Sequence, residues 1–257
     1  MGNQPAALEK LFDKWAQKHE KKLSSGKPYL VEHEPPYGGF VRDGIIDPEN
    51  WDKQKLKICF ILNEAGGYND RAVYPEGHDL AAEWKEKGCF TKLMKNMVVW
   101  IQAVHDAFVP PIDYDKGRIM SKQHELIRSI AIINIRKSDG QVKPNFKELN
   151  NFSHTDAAEI RKELEIIAPD IIFTCNNFKN LSGKRPENST PRSKRQWVFY
   201  DDEIDVAERR SFKWEDALIL NLWSPAQFVR PMSSKVINYY AVREICRAAL
   251  KWCDFER

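Results

Sequence analysis

The chain has 257 residues, of which 42% are hydrophobic and 30% are charged, and its formal net charge is +3. This length allows one large α/β domain or two small ones, with enough apolar residues to build a core. The weakly positive charge does not by itself indicate a nucleic-acid ligand. No apolar run reaches the roughly 20 residues of a membrane span, and the charged N-terminus lacks an apolar signal region. We therefore expect a monomeric, cytoplasmic protein that has no membrane partner.

The cysteines argue against a metal centre. There are five, scattered along the chain, and no two of them form a Cys-x-x-Cys pair. Such pairs are typical of zinc ribbons and iron–sulfur sites, so we predict neither a metal nor any other cofactor. Isolated cysteines in apolar surroundings are typical of a reducing compartment.

Apolar periodicity predicts alternating helices and strands along the chain. Helices are predicted over residues 5–22, 79–108 (two helices, broken near Gly88), 156–167 and 234–253. Short, continuous apolar runs predict strands buried on both faces at 56–62, 127–135, 170–175 and 217–222. Weaker signals predict a short strand or hairpin near 40–46 and an edge strand at 197–200. The alternation predicts a single α/β domain over residues 1–257, with 1–55 as an N-terminal helix and irregular extension. Its fold class is a three-layer α/β/α sandwich with a mostly parallel four-stranded central sheet.

Polar or small residues follow three of these strands. The first strand ends in Asn63-Glu64-Ala65-Gly66-Gly67, the second in Asn134-Ile135-Arg136 and the fourth in Trp223-Ser224-Pro225. Ligands of open parallel sheets bind beyond the carboxyl ends of the strands. Two consecutive glycines allow the backbone to come close to a ligand. The sequence therefore predicts a ligand site at this edge of the sheet.

The order of these motifs resembles the uracil-DNA glycosylase superfamily over about residues 55–250. One branch of that family ends its first strand in Gly-Glu-Ala-Pro-Gly, to which residues 63–67 are similar. The stretch 132–137 is similar to the family's strand with the base-recognising Asn, and 167–172 to its next apolar strand. Trp223-Ser224-Pro225 stands at the family's His-Pro-Ser loop. The resemblance implies the glycosylase fold, DNA as the partner and excision of a base.

The chain also departs from the family's pattern. Gly66 stands where Pro is usual, and Trp223 stands where the family has the His that donates to the departing base. The iron–sulfur cysteines of the Gly-Glu-Ala-Pro-Gly branch are missing, so no cluster carries over. These departures argue against plain uracil excision. Because two glycines widen the mouth of a pocket, they slightly favour a bulky modified pyrimidine over uracil or another deaminated base.

The chemistry of base excision assigns roles to the strand ends. Cleavage of an N-glycosidic bond builds positive charge on the sugar, and a nearby carboxylate stabilises that charge or activates water. We assign this role to Glu64, with Asn63 beside it; the alternative is an exposed turn residue. Asn134 offers a donor and an acceptor to the departing base, although it could equally be a capping residue. A flipped base also needs surfaces to stack on or approach closely. The candidates for these are Tyr68, Tyr74, Ala65, Gly66, Gly67 and Trp223.

Contacts with DNA phosphates require cations and hydrogen-bond donors. The loop that contains Lys184, Arg185, Arg192, Lys194 and Arg195 supplies the cations; the alternative is a solvated charged surface. Ser224 precedes the last helix, whose N-terminus favours anions. In the family, the loop after the fourth strand inserts a side chain where the flipped base had been. Phe228 and Arg230 are the candidates for that insertion.

Three functions are compatible with this pattern. The first is a monofunctional DNA glycosylase that flips a base, hydrolyses its glycosidic bond and leaves an abasic site. It would act in repair if the base is uracil or deaminated, and in defence against phage if the base is a bulky modified pyrimidine. The second is a catalytically degenerate nucleic-acid or nucleotide-binding module of the same fold, and the third is a hydrolase of free nucleosides or nucleotides.

Overall fold

The structure, a computed structural model, describes residues 4–24, 39–65, 77–88, 91–110, 112–139, 146–184, 197–208, 210–225 and 235–252. The helices in these ranges are α1 (Gln4–Ser24), α2 (Pro48–Trp51), α3 (Leu80–Lys87), α4 (Lys92–Ala107), α5 (Lys116–Ser121), α6 (Gln123–Arg128), α7 (Phe146–Thr155), α8 (Ala157–Ile167), α9 (Phe178–Leu181) and α10 (Lys235–Trp252). The strands are β1 (Val41–Arg42), β2 (Gly44–Ile45), β3 (Ile58–Ala65), β4 (His78–Asp79), β5 (Ile130–Asp139), β6 (Ile171–Phe173), β7 (Ser182–Gly183), β8 (Phe199–Tyr200), β9 (Ile204–Glu208), β10 (Ser211–Trp214) and β11 (Ala217–Leu220).

The main sheet has seven strands in the order β2-β5-β3-β6-β11-β10-β9. The four adjacent strands β5, β3, β6 and β11 run parallel to one another. At the two edges, β2 and the β10–β9 hairpin run antiparallel to their neighbours. The α/β class is therefore confirmed, but the sheet is mixed and larger than the four strands that the sequence predicts. Two further pairs, β1–β4 and β7–β8, form small parallel sheets of their own.

The continuous apolar sequence of β3 results from burial of both faces of the strand. Ile58, Phe60 and Leu62 pack into a cluster with α4 and α10, whereas Cys59 and Ile61 pack into a second cluster with α1 and α8. Successive side chains of a strand point to opposite faces, so helices on both sides of the sheet require apolar residues at every position.

The break that the sequence predicts near Gly88 separates α3 from α4. Asp79 caps the start of α3 through a 2.8 Å hydrogen bond from the Ala82 N–H to its Oδ1. Gly88 ends the helix with a φ of 66°, a value that favours glycine. A Cβ at this position would lie 1.8 Å from His124 Nδ1. The glycine is therefore required by both the backbone conformation and the packing.

The N-terminal segment is part of the core rather than an extension from it. Leu8, Phe12 and Trp15 of α1 are buried in the cluster that contains α8. Strand β2 extends the main sheet beyond β5. The sequence does not predict this role for α1 and β2, because the irregular stretch between α1 and β3 contains few apolar residues in a periodic pattern.

Several elements are absent from the sequence prediction. These are the helices α5, α6 and α7 and the strands β9 and β10, all short or half-exposed. The predicted strand at 127–135 is displaced, since Ile127 lies in α6 and β5 continues to Asp139. The predicted edge strand at 197–200 is β8, which pairs with β7 and lies outside the main sheet. In the part of the chain described, no helix has the length and apolar character to cross a membrane.

Candidate functional site

The strand order creates a crevice at the carboxyl edge of the sheet. After β3, the chain forms β5 on one side of it and later β6 on the other. In open α/β sheets, ligands bind outside the carboxyl ends of strands at the point where the strand order reverses. Here that point lies between β3 and β6. The polar residues after these two strands are therefore the first candidates for a binding site.

A pair of asparagines spans this switch point. The Nδ2 of Asn177 donates to the Oδ1 of Asn63, the donor and acceptor being 2.8 Å apart. Asn63 is half-buried in β3, and Asn177 is buried just before α9. Asn177 occupies the N-cap position of α9, but its side chain makes no capping hydrogen bond. The contact holds the Asn63 amide with its oxygen toward β6 and leaves its Nδ2 group to donate elsewhere.

The turn after β6 aims Asn177 at β3. Cys175 and Asn176 have φ values of 50° and 70°, which L residues other than Asn and Asp rarely adopt. The turn closes through a 2.8 Å hydrogen bond from the Asn177 N–H to the Thr174 carbonyl. Strained backbone conformations of this kind concentrate at functional sites. The turn therefore supports the assignment of this edge as the site.

The same edge continues from β6 to β11. The Thr174 hydroxyl donates to Asn221 Oδ1 at 2.8 Å. Asn221 follows β11, and its backbone N–H donates to the Arg210 carbonyl at 2.9 Å. Asn63, Asn177, Thr174 and Asn221 thus form a row of amide and hydroxyl groups across three strand ends. Such groups recognise a polar heterocycle by hydrogen bonds, but they do not titrate near neutral pH.

On the other side of β3, Asn134 is held by a buried aspartate. Asp43 Oδ2 accepts from the Asn134 backbone N–H at 2.7 Å and from its Nδ2 at 2.9 Å. The Asn134 side chain is buried, and within the described part of the chain its Oδ1 has no hydrogen-bond partner. The register pairs Asn134 with Leu62, so it lies beside the residue before Asn63. The sequence-predicted pair Asn63 and Asn134 therefore lies on neighbouring strands, with Asn134 well before the end of β5 at Asp139, and no hydrogen bond joins the two among the described contacts.

Asp43 belongs to a buried charged cluster. Lys137 contacts Asp43 Oδ1, and its Nζ lies 2.8 Å from Glu163 Oε2. The ammonium also lies 5.0 Å from the ring centre of Trp15 and 5.4 Å from that of Phe12. We call Asp43, Lys137 and Glu163 the buried cluster.

The protonation of the buried cluster follows from its charges. Burial raises the pKa of Glu163 well above its ordinary value, and the charge of Asp43 raises it further. For Lys137, burial alone would lower the pKa, but the two carboxylates outweigh burial and raise it. One buried ammonium balances only one of the two negative charges, and this imbalance favours the protonated form of Glu163.

An irregularity in β5 lies beside this cluster. Glu64 pairs with Arg136, but the next residue of β3, Ala65, pairs with Asp139. Two additional residues of β5, Lys137 and Ser138, are therefore accommodated opposite one step of β3. Bulges of this kind redirect side chains and are frequent near functional sites.

The predicted catalytic residue, Glu64, lies in β3 opposite Arg136 of β5. Arg136 is buried, donates from Nε to Ser138 Oγ at 2.9 Å and lies 5.4 Å from the ring centre of Phe152. The side chains of Glu64 and Ala65 are outside the described part of the chain. The same holds for all atoms of the predicted base-binding residues Gly66, Gly67, Tyr68 and Tyr74.

Trp223 lies on the α4 side of the strand ends. Its ring is half-buried and meets that of Trp100 edge-to-face, with 5.5 Å between the ring centres. Trp100 in turn lies 5.5 Å from Phe173 of β6. Two residues further, the Pro225 carbonyl accepts from Asn96 Nδ2 of α4 at 2.7 Å. The Trp223 segment is thus anchored to α4, immediately after the row of polar groups ends at Asn221.

The predicted DNA contacts are described only in part. Lys184 is exposed after β7, and Ser224 is half-buried after Trp223. The other predicted contact residues, namely Arg185, Arg192, Lys194, Arg195, Phe228 and Arg230, lie outside the described residues.

The structure adds residues that the sequence alone does not single out. Asp43, Thr174, Asn177 and Asn221 all contact residues of the candidate site, and only the doublet Asn176-Asn177 after an apolar run gives a local signal.

A cleft of about 210 Å³ lies close to Asp43, between α1, α3 and the β1–β2 segment. In the described ranges, no group of His, Cys, Asp or Glu residues is arranged to hold a metal ion.

Comparison of the chain with protein-family models, with curated protein sequences and with solved structures gave no match. The assignment of a function therefore depends on the geometry and chemistry of the strand ends.

Proposed function

We propose that this protein is a monofunctional DNA glycosylase, which flips a base out of DNA and hydrolyses its N-glycosidic bond to leave an abasic site. The observation that carries the proposal is the convergence of strand ends at the switch point. Asn63 and Asn177 meet there, Asn134 lies in the neighbouring strand beside Leu62, and the Glu64 backbone belongs to the central strand of the three. The protein would act as a monomer in the cytoplasm.

The arrangement of the sheet supports the glycosylase fold. Four parallel strands lie side by side, and apolar clusters join helices to both of their faces. We interpret this arrangement as a three-layer α/β/α sandwich whose functional core is the four-stranded parallel part. On this interpretation, the antiparallel strands at both edges are additions that cover the sheet margins.

Glu64 is the residue to which we assign catalysis. Its carboxylate would stabilise positive charge on the sugar or activate the attacking water, a contribution of roughly 10²–10⁴-fold. Asn63, fixed by Asn177, would orient the water or the sugar beside it. Asn134 would hydrogen-bond the departing base. Such a bond discriminates strongly among bases because a buried amide left unpaired costs free energy.

A bulky modified pyrimidine is the substrate that we favour, with uracil or another deaminated base as the alternative. The residue at the position of the family's His is Trp223, which cannot donate a proton to a leaving base as an imidazolium would. A base whose substituents make it a better leaving group needs less help of this kind. Excision of such a base would place the protein in defence rather than in repair.

The decisive experiment is incubation with duplexes that each carry one modified base, followed by alkaline cleavage at abasic sites. We expect one class of modified pyrimidine to give cleavage, and Glu64→Gln to reduce the rate at least 100-fold with unchanged thermal stability. Glu86→Gln, at an exposed carboxylate of α3, is the matched control and should behave as the wild type. Wild-type activity in Glu64→Gln, or no cleavage of any duplex, would exclude the proposed catalysis.

A binding module of the same fold is the second candidate. It is favoured by Trp223, whose ring packs edge-to-face against Trp100. This aromatic side chain stands where the family has a titratable His that acts as a donor. This candidate predicts DNA binding that weakens with salt but gives no abasic product. A direct comparison of binding and cleavage on the same duplexes separates the two.

A further inference from the structure

The orientation of the Asn134 amide is fixed by its surroundings. Asp43 Oδ2 lies 2.7 Å from the backbone nitrogen of Asn134 and 2.9 Å from its Nδ2. If the amide were turned by 180°, Asn134 Oδ1 would face this carboxylate oxygen, and two acceptors would be in contact. The Nδ2 group must therefore point at Asp43, and Oδ1 must point away from it.

Asp43 itself has no freedom to turn. Its side chain is fully buried, and its second oxygen, Oδ1, contacts the Lys137 ammonium. Lys137 is held in turn by Glu163 and by the rings of Phe12 and Trp15. Rotation of the Asp43 carboxylate would break its contact with a buried cation, which is a costly change. The amide orientation of Asn134 thus depends on the buried cluster behind it.

The free end of the amide is an acceptor. Asn134 Oδ1 is buried and has no hydrogen-bond partner among the described residues, although a buried carbonyl oxygen is rarely left unsatisfied. An orphaned buried acceptor in β5, on the strand next to β3 of the switch point, is suited to a ligand that brings its own donor.

We infer that Asp43 is a positioning residue that sets the specificity of the site. By fixing the Nδ2 of Asn134, it presents Oδ1 to the ligand, and the ligand edge that Asn134 recognises must carry an N–H donor. This inference rests on the proposed function and narrows its substrate class: the base keeps an unsubstituted ring or exocyclic N–H at its recognised edge. Bulky groups are accepted elsewhere on the ring.

Matched duplexes test this inference. One pair carries 2′-deoxyuridine or its N3-methyl analogue, and the other carries 5-hydroxymethyl-2′-deoxycytidine or its N4,N4-dimethyl analogue. Within the pair that the wild type cleaves, we expect kcat/KM for the donor-bearing base to exceed that for the methylated base by at least about 100-fold. In Asp43→Asn, the oxygen of the new amide can stay on Lys137 while its Nδ2 takes the place of Asp43 Oδ2. That Nδ2 can donate to Asn134 Oδ1, so the turned orientation of the Asn134 amide becomes possible. We expect the ratio to fall below about 10-fold.

Asp47→Asn is the control. Asp47 is as buried as Asp43 and lies four residues away, but it pairs with Arg128 and Lys85 and does not contact Asn134. This substitution should lower stability and leave unchanged the ratio of kcat/KM between the donor-bearing base and the methylated base. A purely structural role of Asp43 would lower kcat/KM for both members of a pair by the same factor, and that result would overturn the inference.

Failure of the inference can be distinguished from failure of the proposed function. If the wild type cleaves a duplex without preferring the N–H-bearing base, the inference is wrong and the glycosylase proposal stands. If the wild type cleaves none of the duplexes, the proposal fails and the inference fails with it. As an independent readout, the Asn134 side-chain amide protons should show a hydrogen-bonded chemical shift in the wild-type NMR spectrum, and this shift should change in Asp43→Asn.

Discussion

The buried cluster is the place where single residues differ most from their behaviour in water. It contains two carboxyl groups and one ammonium group, all fully buried. The uncompensated negative charge favours the protonated form of Glu163, whose pKa is raised well above its ordinary value by burial and by Asp43. The folded state therefore binds this proton more tightly than the unfolded state does, and stability depends on pH.

This proton dependence gives the first prediction. Because the pKa of Glu163 is higher in the folded state than in the unfolded state, its stabilising contribution is complete below the unfolded value of about 4.5. That contribution is lost as pH rises toward the folded pKa. Glu163→Gln keeps a neutral side chain at every pH. We expect its free energy of unfolding to exceed that of the wild type by an amount that grows with pH, by about 1.4 kcal/mol per unit of pKa difference.

Urea unfolding at intervals from pH 4 to pH 8 measures this difference. The control is Glu165→Gln, at a partly exposed position of the same helix that pairs with Lys162. A constant difference between Glu163→Gln and the wild type over the whole pH range would contradict the assigned proton.

The asparagine pair at the switch point gives the second prediction. Asn177→Ala removes the donor that holds Asn63 Oδ1 at 2.8 Å. We expect the cleavage rate to fall by roughly 10- to 100-fold, because a catalytic group loses its orientation. The stability loss should be only about 1 kcal/mol, the usual net value of one hydrogen bond.

Single-turnover kinetics on the duplex that the wild type cleaves provide the measurement. Asn180→Ala, on the same short helix, is the control because its side chain does not contact Asn63 among the described residues. Equal rates in Asn177→Ala and the wild type would remove Asn63 from the proposed mechanism.

Sequence patterns identify these residues only in part. Asn63 and Asn134 follow apolar runs, so their positions on neighbouring strands can be predicted. The contact of Asp43 with Asn134 joins residues 91 positions apart, and the weak strand signal around Asp43 does not identify its partner. The contact of Asn177 with Asn63 spans 114 positions and depends on a left-handed turn. No local signal encodes such contacts, because they depend on which strands become neighbours.

At the scale of elements, three helices are joined by one buried carboxylate. Asp106 of α4 accepts from Arg118 of α5 at 2.7 Å, from Gln102 Nε2 at 2.9 Å and from the Tyr239 hydroxyl of α10. Burial alone would raise the pKa of Asp106, but these hydrogen bonds outweigh it and lower the pKa. The stability that the carboxylate contributes is therefore present at neutral pH and is lost only as pH falls below its ordinary value.

The third prediction concerns this joint. Asp106→Ala leaves the buried Tyr239 hydroxyl and the Arg118 guanidinium without their common acceptor. We expect the free energy of unfolding at pH 7 to fall by about 2–4 kcal/mol. Asp113→Ala is the control, since Asp113 accepts from the exposed Tyr240 hydroxyl at 3.3 Å and should contribute less than 1 kcal/mol. Urea unfolding measures both, and equal losses in the two variants would contradict the role given to Asp106.

Elements with strong periodicity are the ones that the sequence predicts. The apolar strands are predicted because burial of both faces leaves a continuous apolar run in the sequence. The break in the two-helix zone is predicted because the positive φ at its end requires a glycine, Gly88. The sequence prediction misses helix α7 and the β9–β10 hairpin because their elements are short: α7 has ten residues, and the two strands have five and four. The breadth of the sheet is therefore underestimated from sequence, although its parallel centre is not.

For the whole molecule, the position of α1 decides whether the chain is one cooperative unit. Leu8, Phe12 and Trp15 are buried against α8 and the sheet, and Lys18 forms ion pairs with Asp156 and Glu159 at 3.2 and 2.5 Å. Burial of two aromatic side chains and a leucine stabilises a domain by several kcal/mol. A helix held in this way should not unfold separately from the sheet.

The fourth prediction follows from this docking. We expect the buried amides of α1 and those of β5 to exchange with solvent hydrogen with the same opening free energy, within about 1 kcal/mol. Native-state hydrogen exchange in low urea measures both. The exposed end of α5 provides the comparison for local fraying, and its amides should exchange faster. Release of α1 before β5 would show that residues 1–24 form a separable unit.

The order in which the strands and helices find their partners also affects how the chain folds during synthesis on the ribosome. Strand β3 needs β5 on one side and β6 on the other, and α1 needs α8. The first helix therefore waits for a partner that is synthesised more than 130 residues later, with its apolar face uncovered. Non-local pairing of this kind slows folding and exposes nascent chains to aggregation. The row of amide and hydroxyl groups formed by Asn63, Asn177, Thr174 and Asn221 is complete only after Asn221 has been synthesised. A ribosome-bound fragment that ends before β11 would therefore lack the site.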